Sequence, residues 1–299
     1  MTPPQNEPRD KYIAPDANGS PANQQPLVSV VIPTLNEAEN LPYVLPRIPW
    51  WVYEALLVDG RSTDNTVEVA RSLSPSIRTM YQKGCGKGDA LLTGFAAATG
   101  DIIVTLDADG SADPAEMTTF VGALLAGADY AKGSRFLQGG GTADMGPFRF
   151  LGNWFLRALV RLLFGGRYSD LCYGYNAFWK DVLPQLHLDT GGFEIETMMN
   201  LNALTAGLNV VEVPSFEAKR IHGMSRLRAI PDGWRVLKTI LKSRLRNHNR
   251  HATHRMKNGN RGYSARHLID PPLNSSQRSG QILCPACGNR LQAHPKNDH

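Results

Sequence analysis

Asp107 and Asp109 stand one residue apart where an apolar run ends, in DIIVTLDADGSADP (101–114). In extended backbone, residues i and i+2 point to the same side, so the two carboxylates converge on one point. Adjacent carboxylates resist joint ionisation unless a cation sits between them. A hard divalent ion, Mg2+ or Mn2+, accepts such a pair together with phosphate oxygens. Asp-x-Asp is also common in turns, where both acids are simply solvated, and the pattern by itself leaves both readings open. Asp59, closing ALLVDG, is a third acid on a strand exit. Lys83 and Lys87 lie in the glycine-rich KGCGKGD (83–89). This is no P-loop: a single residue separates Gly84 from Gly86-Lys87, and Gly88 stands where Ser or Thr is needed. Nor is it a dinucleotide fingerprint, since Asp89 holds the place of the third glycine. Two readings remain. The glycines permit close backbone approach to a nucleotide-bearing ligand with Lys83 or Lys87 near its phosphates, or they form a tight turn and nothing more.

The elements that must carry these residues follow from the apolar pattern. LVSVVI (27–32) reads as a strand buried on both faces, followed by a loop and a helix opening near Asn40. ALLV (55–58) predicts a second strand, and Asn65 with Glu68 three residues later predicts a capping box for the next helix. A third strand is expected near Arg78–Tyr81, then a small-residue helix stopping at Gly100, then the strand that ends on Asp107. This alternation predicts an α/β fold with a mostly parallel sheet between helices. Its ligand belongs beyond the carboxyl ends of the strands, where Asp59, Asp107 and Asp109 sit.

The chain has 299 residues, enough for one sizeable core. Its net charge of +5 is uneven: residues 247–299 hold eight basic and two acidic side chains, leaving the preceding part close to neutral. A basic tail on a neutral body argues against a nucleic-acid-binding core. Residues 1–26, rich in Pro, Asn and Gln, are expected to be disordered and lack a signal peptide's apolar stretch. The boundaries expected are a disordered 1–26, a single catalytic domain over 27–246 ending in an amphipathic helix, and a flexible basic tail over 247–299. Four scattered cysteines suggest a reducing compartment, and no apolar run reaches the roughly 18 residues of a membrane span.

Six segments in order carry a resemblance: VSVVIPTLNEAENL (28–41), VDGRSTDNT (58–66), residues 83–114, GSRF (133–136), DLCYGYNAF (170–178) and KRIHGMSRL (219–227). Together they resemble the inverting GT-A glycosyltransferases of family 2, in the branch acting on dolichol or polyprenyl phosphates. The resemblance covers roughly residues 27–240. It implies the nucleotide-diphospho-sugar transferase fold, Rossmann-like and single-domain. It implies a nucleotide-sugar site of Pro33, Asn36, Glu37, Asp59, Lys87, Asp107 and Ser225. Asp107 and Asp109 would hold Mg2+ or Mn2+ with the donor diphosphate. Arg220, Gly223 and Ser225 fit the Arg-x-x-Gly-x-Ser element over the phosphates. Ser134 and Arg135 open the acceptor loop, GGGTADM (139–145) would be its lid, and Arg149 falls near its second arginine. The catalytic set expected is Asp109, Arg135, Arg149 and Arg220. Three departures stand out: Gly60 replaces a second acid after Asp59, Arg226 replaces a lysine, and the acid usual near Met198 is missing, with Glu194 or, preferably, Glu196 as substitute.

What the resemblance implies is metal-dependent, inverting transfer of a hexose from a GDP-mannose or UDP-glucose type donor to a polyprenyl or dolichyl phosphate. An acceptor phosphate is already anionic and needs cations to hold it, not a general base. Arg135 and Arg149, with no acidic neighbour evident in sequence, can supply bidentate pairing. Asp170 is the best spare carboxylate, with a structural role equally open. The alternative is transfer to a saccharide or other hydroxyl in cell-envelope glycan synthesis; a binding module is disfavoured by intact Asp107, Asp109 and Arg220. A lipid acceptor implies a cytoplasmic protein peripheral on the cytoplasmic face of the membrane. WFLRALVRLLFGG (154–166) and WRVLKTILKSRLRN (234–247) mix apolar and basic residues as surface-binding helices do; the first stripe can equally pack on the core, and for the second the membrane is the favoured reading. Cys284 and Cys287 look like half a zinc site, and His248, His251 and His254 recur at three-residue intervals; a flexible tail with incidental thiols is the simpler reading.

Overall fold

The computed structural model describes residues 25–225 and 228–259. The segment before residue 25, Arg226, the side chains of His248, His251 and His254, and the Cys284–Cys287 pair lie outside the described residues. The chain divides into two compact units, Met1–Thr253 and His254–His299. Every described strand belongs to the first.

Four strands run parallel in the first half: β1 (Val28–Thr34), β2 (Glu54–Asp59), β3 (Arg78–Tyr81) and β4 (Ile102–Thr105). Val30, Val31 and Ile32 are fully buried, as a β-branched run covered on both faces must be. The sheet has the order β3-β2-β1-β4-β7-β5-β8, completed by β5 (Tyr130–Ser134), β7 (Asn176–Trp179) and β8 (Val210–Pro214). Only β7 is reversed, antiparallel to both β4 and β5. Between the strands lie α1 (Leu41–Val44), α2 (Thr66–Leu73), α3 (Lys87–Ala97) and α4 (Met117–Leu125). On α3, Gly94 meets Val31 so closely that an added Cβ would overlap the valine side chain. Small residues thus let that helix settle on β1 and bring Lys87, at its N-terminus, to the strand exits. The capping box expected at Asn65 does not form. Asn65 makes no side-chain cap; Asp64, one residue earlier, accepts from the Thr66 N–H at 3.1 Å in an Asx turn that starts the helix.

The second half adds α5 (Pro147–Phe164), the short α6 (Leu183–Leu186), α7 (Ile195–Ala206) and α8 (Ala229–Gly259). A two-stranded sheet pairs β6 (Gly141–Thr142) with β9 (Phe216–Glu217). Helix α8 continues through the expected boundary at residue 246 to Gly259. Leu156 and Val160 of α5 pack with Leu201 of α7 and with Val236 and Ile240 of α8 in a second core. The apolar residues that the sequence offered for a membrane divide: Leu156, Val160 and Ile240 are buried, with Leu159, Leu163, Phe164 and Leu237 packed against them, while Trp234 and Leu241 of α8 stay exposed. A different set faces outward on α5: Phe148, Leu151, Trp154, Phe155 and Leu162. No helix among the described residues is long and apolar enough to cross a membrane.

Candidate active site

A cleft of about 370 Å³ opens beyond the carboxyl ends of β1, β2 and β4. Of the residues singled out from sequence, Pro33, Glu37, Lys87, Asp107, Asp109, Arg135, Arg149, Arg220 and Ser225 line it. Asn36 and Asp59 do not. Asp59 is 1% exposed and its carboxylate is taken up by the backbone N–H (2.8 Å) and hydroxyl of Ser62. Asn36, at φ +56°, accepts from the Thr63 N–H at 2.7 Å and donates its own N–H to Ser62. These two residues brace the loops after β1 and β2 against each other, and Gly60 is what faces the cleft between them.

The paired acids sit at its centre, each with a cationic neighbour. Lys87 Nζ lies 2.7 Å from Asp107 and 2.6 Å from Glu196. Burial works to lower the Lys87 ammonium, but these two carboxylates outweigh it and hold it well above the ordinary lysine range. Burial raises the Glu196 carboxyl against the pull of Lys87. Arg220 Nη1 lies 3.3 Å from Asp109, and Nη2 pairs with Glu37. Burial opposes that charge too, and Glu37 and Asp109 more than compensate. Asp109 also accepts from the Ser111 N–H and hydroxyl at 3.0 and 2.7 Å, which fixes its rotamer. Asp107 and Asp109 present oxygen donors, partly exposed to the cleft, where cationic nitrogens already compensate their charge. That donor set fits a hard divalent cation bound together with phosphate oxygens.

The glycine-rich turn borders the cleft with Gly86 and Lys87 and also packs against a distant loop. An added Cβ at Gly88 would lie 2.5 Å from the Thr190 carbonyl oxygen, and Gly86, at φ +92°, abuts Gly191. Asp89 N–H donates to the Gly191 carbonyl at 3.2 Å. The glycines bring this turn against the 190–192 loop, which carries α7 and Glu196 into the cleft. Gly174 serves the same cluster: a Cβ there would lie 2.5 Å from Glu196 Oε1 and 2.7 Å from Lys87 Nζ.

The two expected acceptor arginines differ. The sequence shows no acidic neighbour beside Arg135, yet the fold gives it two partners. Its Nε and Nη2 bond the two Asp170 oxygens at 2.7 and 3.0 Å, and Nη1 bonds Glu217 at 3.0 Å. The guanidinium carbon also lies 4.9 Å from the Tyr173 ring. Asp170, fully buried, is thereby a structural counter-ion, and burial's upward push on its carboxyl is overcome by Arg135 and Lys132. Glu217 further accepts from the Thr142 hydroxyl at 2.6 Å, tying the 139–145 loop to β9. Arg149, on the first turn of α5, is partly exposed and pairs with Asp144 at 3.2 Å. Sequence reasoning missed Glu217, whose only signal is its place three residues before Arg220, and Asn40, which bonds Glu37.

Residues 29–186, more than half of the chain, match Glycosyl transferase family 2. The chain is 32% identical over 226 residues to polyprenol monophosphomannose synthase of Mycolicibacterium smegmatis, covering 71% of this chain and 85% of that one. It is 34% identical over 221 residues to dolichol-phosphate mannosyltransferase of Pyrococcus furiosus, covering 67% of this chain but 59% of that longer protein. Undecaprenyl-phosphate mannosyltransferase of Micrococcus luteus is 31% identical over 212 residues, covering 67% and 87%. Among solved structures, glucosyl-3-phosphoglycerate synthase of Mycobacterium tuberculosis, bound to Mn2+, UDP-glucose and phosphoglyceric acid, aligns with a TM-score of 0.60. It covers 73% of this chain and 80% of its own at 24% identity, a likeness of fold, and that fold is GT-A.

Proposed function

The chain belongs to glycosyl transferase family 2 and is a glycosyltransferase, and from that premise we propose that it transfers a hexose, with inversion, from a nucleoside-diphosphate sugar to the phosphate of a polyprenyl lipid. One observation carries the acceptor. A second cavity of about 130 Å³ shares Arg135, Arg149, Cys172, Phe193 and Glu196 with the charged cleft; Met145, Phe148, Leu156 and Val236 give it apolar walls, and Asn153 and Asp232 add two polar side chains. A mostly apolar recess opening onto an arginine suits an anionic head on a hydrocarbon chain. The names of the relatives point the same way.

In this reading the donor's diphosphate lies by Asp107, Asp109 and Arg220, and its nucleoside toward Pro33 and Gly60. A bound Mg2+ or Mn2+ would neutralise charge on the departing diphosphate. Arg220 stabilises the same charge where it develops. Arg149, free to exchange Asp144 for a ligand at the cleft mouth, holds the acceptor phosphate. A phosphate oxygen then forms the new bond to the anomeric carbon as the bond to the diphosphate breaks on the opposite side, giving inversion. No general base is required, because the acceptor arrives ionised. The cleft carboxylates Glu37, Asp144, Glu196 and Glu217 are each ion-paired with a neighbouring cation. The outward apolar face of α5, beside this recess, supports peripheral contact with a membrane.

The test supplies GDP-mannose and UDP-glucose with Mn2+ and either a short polyprenyl phosphate or a free saccharide. The expected product is glycosyl phospholipid, abolished by excess chelator and by Asp109→Asn. Glycosylated saccharide with no lipid product would move the acceptor to a hydroxyl. Full turnover in chelator would remove the metal from the proposal.

A further inference from the structure

Asn40 is buried and immediately precedes α1. An asparagine in that place ordinarily caps its helix, accepting from a backbone N–H in the first turn. This one makes no such bond. Its side-chain amide reaches instead across 182 residues of sequence to His222. Nδ2 donates to Glu37 Oε2 at 2.6 Å and to the His222 carbonyl at 3.2 Å, while Oδ1 accepts from the His222 N–H at 2.8 Å. The same His222 carbonyl accepts from Arg220 Nε at 2.7 Å, and the other Glu37 oxygen pairs with Arg220 Nη2. Asn40, Glu37, Arg220 and His222 thus form a closed ring of hydrogen bonds. The one edge of the guanidinium that the ring leaves over, Nη1, is directed at Asp109.

The chemistry of the ring requires a primary amide. It must give two hydrogen bonds, to a carboxylate and a carbonyl, and take one from an N–H, all from a single planar group. Aspartate would keep the acceptor, lose both donors and set a second negative charge against Glu37. We infer that Asn40 is a positioning residue for glycosyl transfer: it holds Glu37 and the 220–222 backbone together so that Arg220 is presented, pre-oriented, to the donor's phosphates. This rests on the proposal that Arg220 serves the diphosphate. A guanidinium already in place needs no reordering as charge grows on the leaving group, and that is where such pre-organisation acts.

The test is a double-substitution cycle of Asn40→Asp, Arg220→Ala and the two combined. It is read by calorimetric binding of GDP and of UDP in the presence of Mn2+, and by thermal melting. Asn40→Asp is expected to weaken nucleoside diphosphate binding about tenfold or more, read well below its melting temperature, with Tm lowered by several degrees because a buried carboxylate then faces Glu37. Arg220→Ala should weaken it at least as much, and the combined variant no further, because both act through one guanidinium. If Asn40→Asp does not fold, Asn40→Ala, which adds no charge, takes its place in the cycle. Additive losses, unchanged binding in the Asn40 variants, or failure of both to fold would overturn the inference and leave Arg220 in its role. Unchanged binding in Arg220→Ala would overturn the role of Arg220 itself, and the inference with it.

Discussion

Arg135 leaves β5 with its side chain 3% exposed and its guanidinium divided between Asp170 and Glu217, whereas Arg149 begins α5 with 29% exposed and Asp144 beside it. Both line the same cleft. A buried charge is stable only while its partners stay, because separating them leaves ions without solvent. A half-exposed pair is worth little and can be exchanged for a ligand with water filling in behind. The count of arginines around a cleft therefore says less about ligand binding than the state of their partners. Arg135 builds the wall that Arg149 works from. The link is physical: Glu217 holds Arg135 on one side and Thr142 of the 139–145 loop on the other.

Breaking the buried partner should have the largest effect. Arg135→Ala leaves Asp170 and Glu217 without their counter-ion, and is expected to destabilise the fold by about 3–5 kcal/mol. That corresponds to a fall in Tm of roughly 10 °C, with activity lost alongside. Melting unchanged in this variant would show that the two arginines are equivalent after all. Arg149→Ala is the contrasting case. Tm should stay within a degree or two while kcat/KM for polyprenyl phosphate drops about ten- to a hundredfold, the loss of one charge-assisted hydrogen bond. Equal loss of nucleotide binding in Arg149→Ala would place it on the donor side instead. The smallest effect concerns what surrounds each arginine. Leu151 and Phe155 lie outward on the helix that begins beside Arg149, while the surroundings of Arg135 are interior. Leu151→Ser with Phe155→Ser should weaken sedimentation with vesicles several-fold and leave turnover on a short, soluble acceptor intact. Vesicle binding unaffected by the pair would detach the apolar face from the acceptor.

The local features were legible because they depend on residues close in sequence. A continuous β-branched run declares a buried strand, and alternation with helices declares a parallel sheet, so β1 to β4 and the strand-exit position of Asp107 and Asp109 could be read directly. Asn65 and Glu68 spell a capping box, but the side chain that bonds the start of the helix is that of Asp64, one residue earlier. The reversed β7 was not legible, since pairing direction is set by neighbours far along the chain. The glycines of GCGKGD were recognisable as a close approach, yet what they approach is the 190–192 loop, about a hundred residues away.

The elements, the placing of the acids at the strand exits and the kinship of the motifs are all written in spacing along the backbone. Which charges are paired was settled by folding. Asp170, Glu217 and Arg135 lie in three separate segments, and Asn40 meets His222 from the far end of the chain. The free energy of a charge is set by its partners and its burial, not by its residue type. Two arginines of one kind therefore became a buried and a partly exposed ion pair only when folding chose what stands beside them.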